Sequence, residues 1–344
     1  MGQNCSTTTC GLLRDVTEME VNAPKIQHAG ETPDRGFSLP AVSHAIESRN
    51  FKGYGGTPLS QTYFDQDLEE LRAMPNTNLH HRGAHMEARP LFKFRSGATY
   101  HGQWRGNARH GFGAQRWNDG AMYIGEWRDN AAGGKGRFIH TDGDIYCGQW
   151  LNNVAHGCGV YQHQRVTSYA GQWQQDLQHG FGVEEWEEGS SYKGEFKAGQ
   201  KDGMGVYFWA DKSRYEGRWK ANRINGAGTY TGSDSRVFRG QWKGSMIHGV
   251  GEYRWPDRRV YHGQYQNDRK AGFGIFVWPD KRKYEGFWLN GKQHGEGRFY
   301  HADGSTLLAL WKGGKRDCAL EDSQELLVAD AGANDGRTSL ALED

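Results

Sequence analysis

The sequence predicts an all-β chain: an elongated single-layer antiparallel sheet of tandem 23-residue β-hairpins, with a short N-terminal helix and flexible termini. Three observations predict it. The chain repeats itself every 23 residues, nine times over; within each repeat, aromatic or glycine positions alternate with polar ones; and the composition suits no aliphatic core. Among 344 residues there are 50 Gly, 13 Trp, 16 Tyr and 15 Phe, yet hydrophobic residues reach only 36% and mean hydropathy is −0.87. Disordered chains are poor in aromatic rings, so this combination points to rings packed against glycine backbone.

Repeats start at Tyr100, Tyr123, Tyr146, Tyr169, Tyr192, Tyr215, Phe238, Tyr261 and Tyr284, with no insertion between them. Positions 3, 12 and 14 are glycine in all nine, beginning with Gly102, Gly111 and Gly113. Position 5 is always aromatic, from Trp104 to Trp288; position 16 is aromatic in seven repeats and position 18 is Trp in five. Alternation at positions 1, 3, 5 and again at 14, 16, 18 has the period of a strand, so each repeat is a two-strand hairpin. A glycine-bearing loop links the two strands, and a turn such as Asn118-Asp119-Gly120 links one repeat to the next. Rings of one face are expected to stack as a Tyr/Trp ladder, lying flat over the bare glycines. At about 4.8 Å per strand the nine hairpins would extend roughly 90 Å. Stability in such an array comes from neighbouring repeats and needs a cap at each end.

The pattern YxGxW, then HGxG, then an Asp-Gly turn resembles the membrane occupation and recognition nexus (MORN) repeat, over Tyr100 to about Arg316. The resemblance implies an elongated sheet used as a scaffold at membranes or cytoskeletal structures, with phospholipid binding often attributed to it. It also implies self-association, so a homo-oligomer is an expectation.

The flanks divide by composition. Residues 1–10 form a lipidation segment and 11–59 a flexible linker rich in proline and glycine. Residues 60–99 supply a capping helix and an edge strand. The helix is expected from Gln61 to Ala73, capped by Ser60, with Tyr63 or Phe64, Leu68 and Leu71 on one apolar stripe. Its role is to cover the first hairpin or to bind a partner. Residues 91–99 match the second half of a repeat and supply the edge strand. The nine repeats occupy 100–306. A degenerate tenth occupies 307–318, keeping Trp311 but with Ala309 and Cys318 where glycines belong. The tail 319–344 has seven Asp/Glu against one Arg, a net of −6, and a helix over Ala319–Ala329 would shield the sheet edge.

The N-terminus, MGQNCSTTTC, carries the sharpest local signal. Gly2 with Ser6 fits the N-myristoylation pattern, and Cys5 and Cys10 stand ready as palmitate acceptors. One myristoyl chain binds membranes only marginally, so a second signal is needed. Acidic residues outnumber basic ones nearby, which makes palmitate the better second signal. Inside the array, Tyr100–Ser191 holds seven Lys/Arg and ten Asp/Glu, a net of −3; Tyr192–Cys318 holds 24 and 13, a net of +11. Lys212, Arg214, Arg236, Arg258, Arg259, Lys281, Arg282 and Lys283 fall in the turns between repeats. They make a candidate edge for anionic phospholipid, each cation contributing about 1 kcal/mol near an anionic leaflet.

Histidine recurs at position 11 as His110, His156, His179, His248 and His294. Neighbouring repeats lie about 10 Å apart, too far for one metal ion, so these histidines are expected to cap the loop by hydrogen bonds. Zinc at His80, His81 and His85, or shared between two chains, is a minor alternative. Five cysteines without CxxC spacing suggest reduced thiols. No phosphate-binding loop, HExxH, nucleophile elbow or kinase signature occurs, and about 28 residues after Arg316 leave no room for the kinase or methyltransferase domains that accompany some arrays of this kind. The expectation is therefore a non-enzymatic scaffold on the cytoplasmic face of a membrane, with no cofactor, no metal and no nucleic acid, recruiting protein partners. Two alternatives stand beside it: a soluble cytoskeletal or ciliary adaptor, and a regulatory subunit of a phosphoinositide kinase supplied by another chain.

Overall fold

The computed structural model describes residues 63–74, 86–164 and 166–320. These fall into two compact modules, the first ending at Ser233 and the second beginning at Asp234. Each is an antiparallel sheet in which strands pair with their neighbours in sequence. The N-terminal module holds repeats 1 to 6, from the pair Thr99–Arg105 and Ala108–Arg116 to the pair Arg214–Lys220 and Arg223–Thr231. The C-terminal module holds repeats 7 to 9, from Val237–Lys243 to Lys292–Tyr300, and then a tenth hairpin, Thr306–Lys312 with Lys315–Ala319. The degenerate repeat is thus a strand pair. Ala319, expected to open a helix, ends its last strand instead, because backbone pairing to Ala309 continues that far.

Register explains the glycines. Gly102 lies opposite Gly113, and Gly113 opposite Gly125, so glycine faces glycine along the sheet. The Tyr100 ring covers that pair, and its hydroxyl donates to the Gln103 carbonyl at 2.9 Å. A Cβ on Gly113 would stand 2.6 Å from Tyr100 Cζ. Gly111 has a different task. The register slips between Gly102 and Trp104, leaving a bulge in which Gly111 takes a φ of +72°. That conformation favours glycine, and the Gln103 side chain occupies the place where a Cβ would go.

The rings stack, though not flat upon one another. Tyr100 meets Trp104 at 5.0 Å and 90°, and Trp127 of the next repeat at 5.5 Å and 85°. Tyr146 and Tyr169 do the same with their own tryptophans and the next position-5 ring. Edge-to-face contact satisfies the ring quadrupoles, which a face-to-face sandwich does not. From the second repeat onward a position-5 indole N–H can then reach back one repeat, as Trp127 does to the Gly113 carbonyl at 3.2 Å and Trp150 to Gly136 at 3.1 Å, whereas Trp104 Nε1 in the first repeat is buried without a partner. Trp288 and Trp311 repeat this in the C-terminal module.

The N-terminal helix is shorter than expected, spanning Leu68–Ala73 after a helical turn at 63–65. Asp67 precedes it but makes no side-chain cap bond. Its carboxylate accepts instead from Ser96 Oγ and Gln115 Nε2, so the sheet, not the helix, claims the cap. Two short strands, Glu87–Ala88 and Phe92–Lys93, pair with Thr99–Arg105 at the module's edge.

Candidate functional site

Positions 1, 5, 10, 16 and 18 of every repeat share one face, and the site is built from them. Around repeat 2 that face is covered. Phe64 is fully buried among Trp117 at 5.4 Å, Tyr123 at 5.3 Å, Trp127 at 5.6 Å and Trp150 at 5.7 Å. Tyr63 packs on Trp117 and Phe138, accepts the Trp117 indole N–H at 2.8 Å on its carbonyl, and donates its hydroxyl to Asp119 at 2.6 Å. Burial, together with Asp119, pushes the Tyr63 phenol up to about 12. Beyond this cover the position-18 tryptophans, Trp186 and Trp209 in one module and Trp255 and Trp278 in the other, are half-buried.

Cations enter this aromatic face from position 10, a signal missed in the sequence because only Arg109, Lys201 and Lys270 carry it. Arg109 is buried over the Trp127 ring at 4.4 Å and donates to the Asn130 carbonyl at 3.1 Å and to Gln115. Burial pushes its guanidinium down to about 10, Asp67 and Tyr100 opposing the shift, so it stays charged at neutral pH. Lys201 lies over Trp186 at 4.9 Å and bonds Glu184 at 2.6 Å, both side chains being largely buried. Glu184 and Gln115 are the two position-16 residues that are not aromatic, and each faces a position-10 cation. The exceptions at position 16 are therefore partners, a link visible only once the strands are paired.

On the opposite face, position 4 holds the bulge. Gln103 Oε1 accepts the Phe112 N–H at 2.8 Å, and Gln149, Gln172, Gln241 and Gln264 repeat the bond. In repeat 9 Phe287 stands there instead, packed against Phe273 at 5.8 Å. Position 11 acts as expected at His110, whose Nδ1 accepts the Asp129 N–H at 3.3 Å, and Asp202 does likewise for Ala221. His156 and His248 leave Nδ1 buried without a partner. Among the described residues no group of three or more His, Cys, Asp or Glu is placed to hold a metal ion. His80, His81 and His85 lie outside the described residues, as do Gly2, Cys5 and Cys10. Cys147 and Cys158 are disulfide-bonded, against the reading of reduced thiols. Cys147 lies opposite Val160, two residues along the strand from Cys158, a proximity that spacing along the chain does not show.

The turn cations are largely exposed, and several have carboxylate partners. In the N-terminal module Lys212 takes the left-handed turn position at φ +72°, and Arg214 opens the next strand. In the C-terminal module Arg258 and Lys281 take the same left-handed position, at φ +71° and +72°. Arg236, Arg259 and Arg282 each bond the aspartate two residues before them, Asp234, Asp257 and Asp280. Arg259 and Arg282 also lie over the Trp255 and Trp278 rings at 5.4 and 5.7 Å. Lys283 bonds Glu285 at 2.9 Å and covers Tyr300. No described helix is long and apolar enough to cross a membrane.

The MORN repeat family model matches nine segments: 100–122, 123–145, 146–164, 169–191, 192–214, 215–235, 238–258, 261–281 and 284–306. No curated protein matches the chain. Among solved structures, the TCP10 domain of Danio rerio CPAP in complex with a peptide of Danio rerio STIL is 10% identical, covers 68% of this chain and 99% of its own, and has a TM-score of 0.38. The SAS-4 (dCPAP) TCP domain of Drosophila melanogaster, in complex with a proline-rich motif of Ana2 (dSTIL), is 12% identical over 61% of this chain and 96% of its own, with a TM-score of 0.25. Virginiamycin B lyase from Staphylococcus aureus is 8% identical over 65% and 84%, with a TM-score of 0.15. Overlaps this loose carry no argument about what the chain does.

Proposed function

The chain belongs to the MORN repeat family, a repeat scaffold, and from that premise we propose a non-enzymatic adaptor anchored to the cytoplasmic face of a membrane. Gly2 myristate with Cys5 and Cys10 palmitate holds it there, and the aromatic face receives protein partners. The observation that carries the reading is Phe64, a side chain from outside the repeats that is fully buried in a cup of repeat rings. That face therefore accepts a segment foreign to the array.

Edge cations assist the anchor in this reading. An exposed ion pair is worth about 0.2–1 kcal/mol, comparable with the ~1 kcal/mol a cation gains near anionic lipid, so Arg236, Arg259 and Arg282 can exchange their aspartates for headgroups. Those same aspartates, Asp234, Asp257 and Asp280, favour a second reading, the soluble cytoskeletal adaptor, because they pair three of the eight cations on that edge. Membrane fractionation of wild type, Gly2→Ala and Cys5→Ala/Cys10→Ala decides between them. The anchored reading expects both variants to leave the membrane fraction; identical partitioning of all three sinks it. Sedimentation of the full-length Gly2→Ala chain with phosphatidylserine or phosphoinositide vesicles tests the edge, and no binding at physiological salt removes lipid from its role.

A further inference from the structure

Position 4 faces away from the ring ladder, and eight of the nine repeats place a polar side chain there. Repeat 9 places Phe287, which has no acceptor with which to make the clamp. The exchange forfeits that hydrogen bond and leaves a large ring half in water. Phe287 lies directly opposite Phe273, and the two rings are 51% and 44% exposed. Leu289, two residues further along the same strand, and Leu310 of the tenth hairpin are exposed on the same face. Single apolar side chains are ordinary on a surface, whereas four gathered over four successive strands are the mark of a contact site.

Cations border these side chains. Lys292 stands directly opposite Leu289, Lys312 follows Leu310 by two residues, and Lys315 lies opposite Lys312. Arg269 holds the place of Lys292 one repeat earlier, and all four are exposed. At positions 4, 6, 9, 11 and 13 of repeats 8 to 10 the acidic residues are Glu296 and Asp317, so this area is net positive. The sequence after the last strand has the complementary character. Residues 321–330, EDSQELLVAD, carry Glu321, Asp322, Glu325 and Asp330, no lysine or arginine, and the apolar run Leu326-Leu327-Val328. They lie outside the described residues but start from a fixed point, since Leu320 donates its backbone N–H to the Leu308 carbonyl at 2.9 Å. The strand of Phe287 is three strands from there, roughly 14 Å at the ordinary strand spacing. Extended chain from Leu320 to Leu326 spans about 20 Å, enough to reach it.

We propose that Leu326 and Leu327 of the chain's own acidic tail dock on the Phe273–Phe287 pair, with the tail carboxylates beside Lys292 and Lys312. Apolar contact fixes the place and charge favours this segment over a basic one. The short tether holds the segment at high local concentration, so modest contacts suffice to keep it there. The contact goes beyond the scaffold reading and requires neither membrane nor partner. It covers the outer face of the C-terminal repeats from within the chain, and another protein reaches those rings only by displacing the tail.

The test is carbodiimide coupling of the full chain, which joins a carboxylate to a lysine amine where the two touch, read by mass spectrometry. Wild type gives links from Glu321, Asp322 or Glu325 to Lys292 and Lys312. In Phe287→Gln those links fall by roughly fivefold or more. Its Tm does not fall, because Gln264 already holds this position in repeat 8 and accepts the Phe273 N–H. The variant Leu326→Ser/Leu327→Ser shows the same loss while altering no described residue, which keeps the test decisive if Phe287→Gln fails to fold. Undiminished links in either folded variant would overturn the apolar dock and leave attraction between charges alone. Absence of links in wild type would overturn the proposal outright. Links between isotopically heavy and light copies in a mixed sample, in place of links within one chain, would assign the site to the tail of a second copy and overturn docking within the chain.

Discussion

The first and last hairpins of the described chain share a pattern and differ in what covers them. At the first, Tyr100, Trp104 and Arg109 are fully buried beneath Phe94 and the segment bearing Phe64 and Asp67. At the last, Ala309 is buried, Trp311 is half-buried, and Lys315 to Cys318 are exposed. The difference teaches that a repeat does not complete its own core. Its position-5 ring needs a neighbour on each side, and where the array ends something else must stand in. At the first hairpin a helix, two short strands and a buried arginine do so. At the last, the repeat dispenses with glycine at position 3, and Ala309 stands there fully buried, opposite Gly297 and Ala319.

Breaking the cover at the first end has the largest expected effect. Phe64→Ala empties the repeat 2 cup and is expected to cost about 3–5 kcal/mol, the range for a buried phenylalanine. Trp311→Ala, at a half-buried site, is expected to cost less than about 2 kcal/mol. Chemical denaturation of the two variants checks the contrast; equal losses would mean that the cover contributes no more than the packing of the last hairpin. Next come Gly113→Ala and Gly297→Ala. A Cβ at either would stand 2.6 Å from Cζ of a tyrosine, Tyr100 or Tyr284. Overpacking of about 1–3 kcal/mol is expected at both, so the ends agree here and thermal melts should show it.

Alkaline titration sharpens the contrast with a smaller effect. Burial raises the phenols of Tyr100 and Tyr284, that of Tyr284 to about 12 and that of Tyr100 further, with Arg109 opposing. A raised phenol stabilises the fold fully below the ordinary value near 10, and that stability is lost as pH climbs toward the folded value. Buried phenols at both ends, Tyr63 in the cover and Tyr284 in the last repeat, are therefore expected to ionise only above the ordinary range, with loss of stability following, as tyrosinate absorbance and hydrogen exchange will show. Ionisation of these phenols near 10 in the folded chain would contradict the burial argument. The smallest effect belongs to Cys318→Ser, an exposed site where a change within about 0.5 kcal/mol is expected by denaturation.

Period and alternation made the strands legible before any coordinates: positions 3, 5, 12 and 14 announce the hairpin, the bulge and the ring ladder. Pairs across strands were not legible. Glu184 reads as an interruption of an aromatic column until Lys201, seventeen residues away, is seen against it. Gln103 reads as a polar outward residue, yet it clamps Phe112. The helix was legible in kind but not in extent, since propensity favours 61–73 while tertiary bonds take Asp67 from capping and give it to Ser96 and Gln115.

The bonds that tie one repeat to the next all span fixed distances in the sequence. Asn130 donates its backbone N–H to the Arg109 carbonyl and accepts the Arg109 N–H on its side chain, 21 residues back; Asn153, Asp176, Asn222 and Asp268 repeat the clasp. The indole bonds span 14 residues. One residue inserted within a paired strand would break the clasp and turn the side chains beyond it in that strand to the wrong face. Gain or loss of a whole repeat keeps both spacings intact. Each copy carries its own clasp and indole bond with it, so a duplicated repeat arrives with the means to join its neighbours.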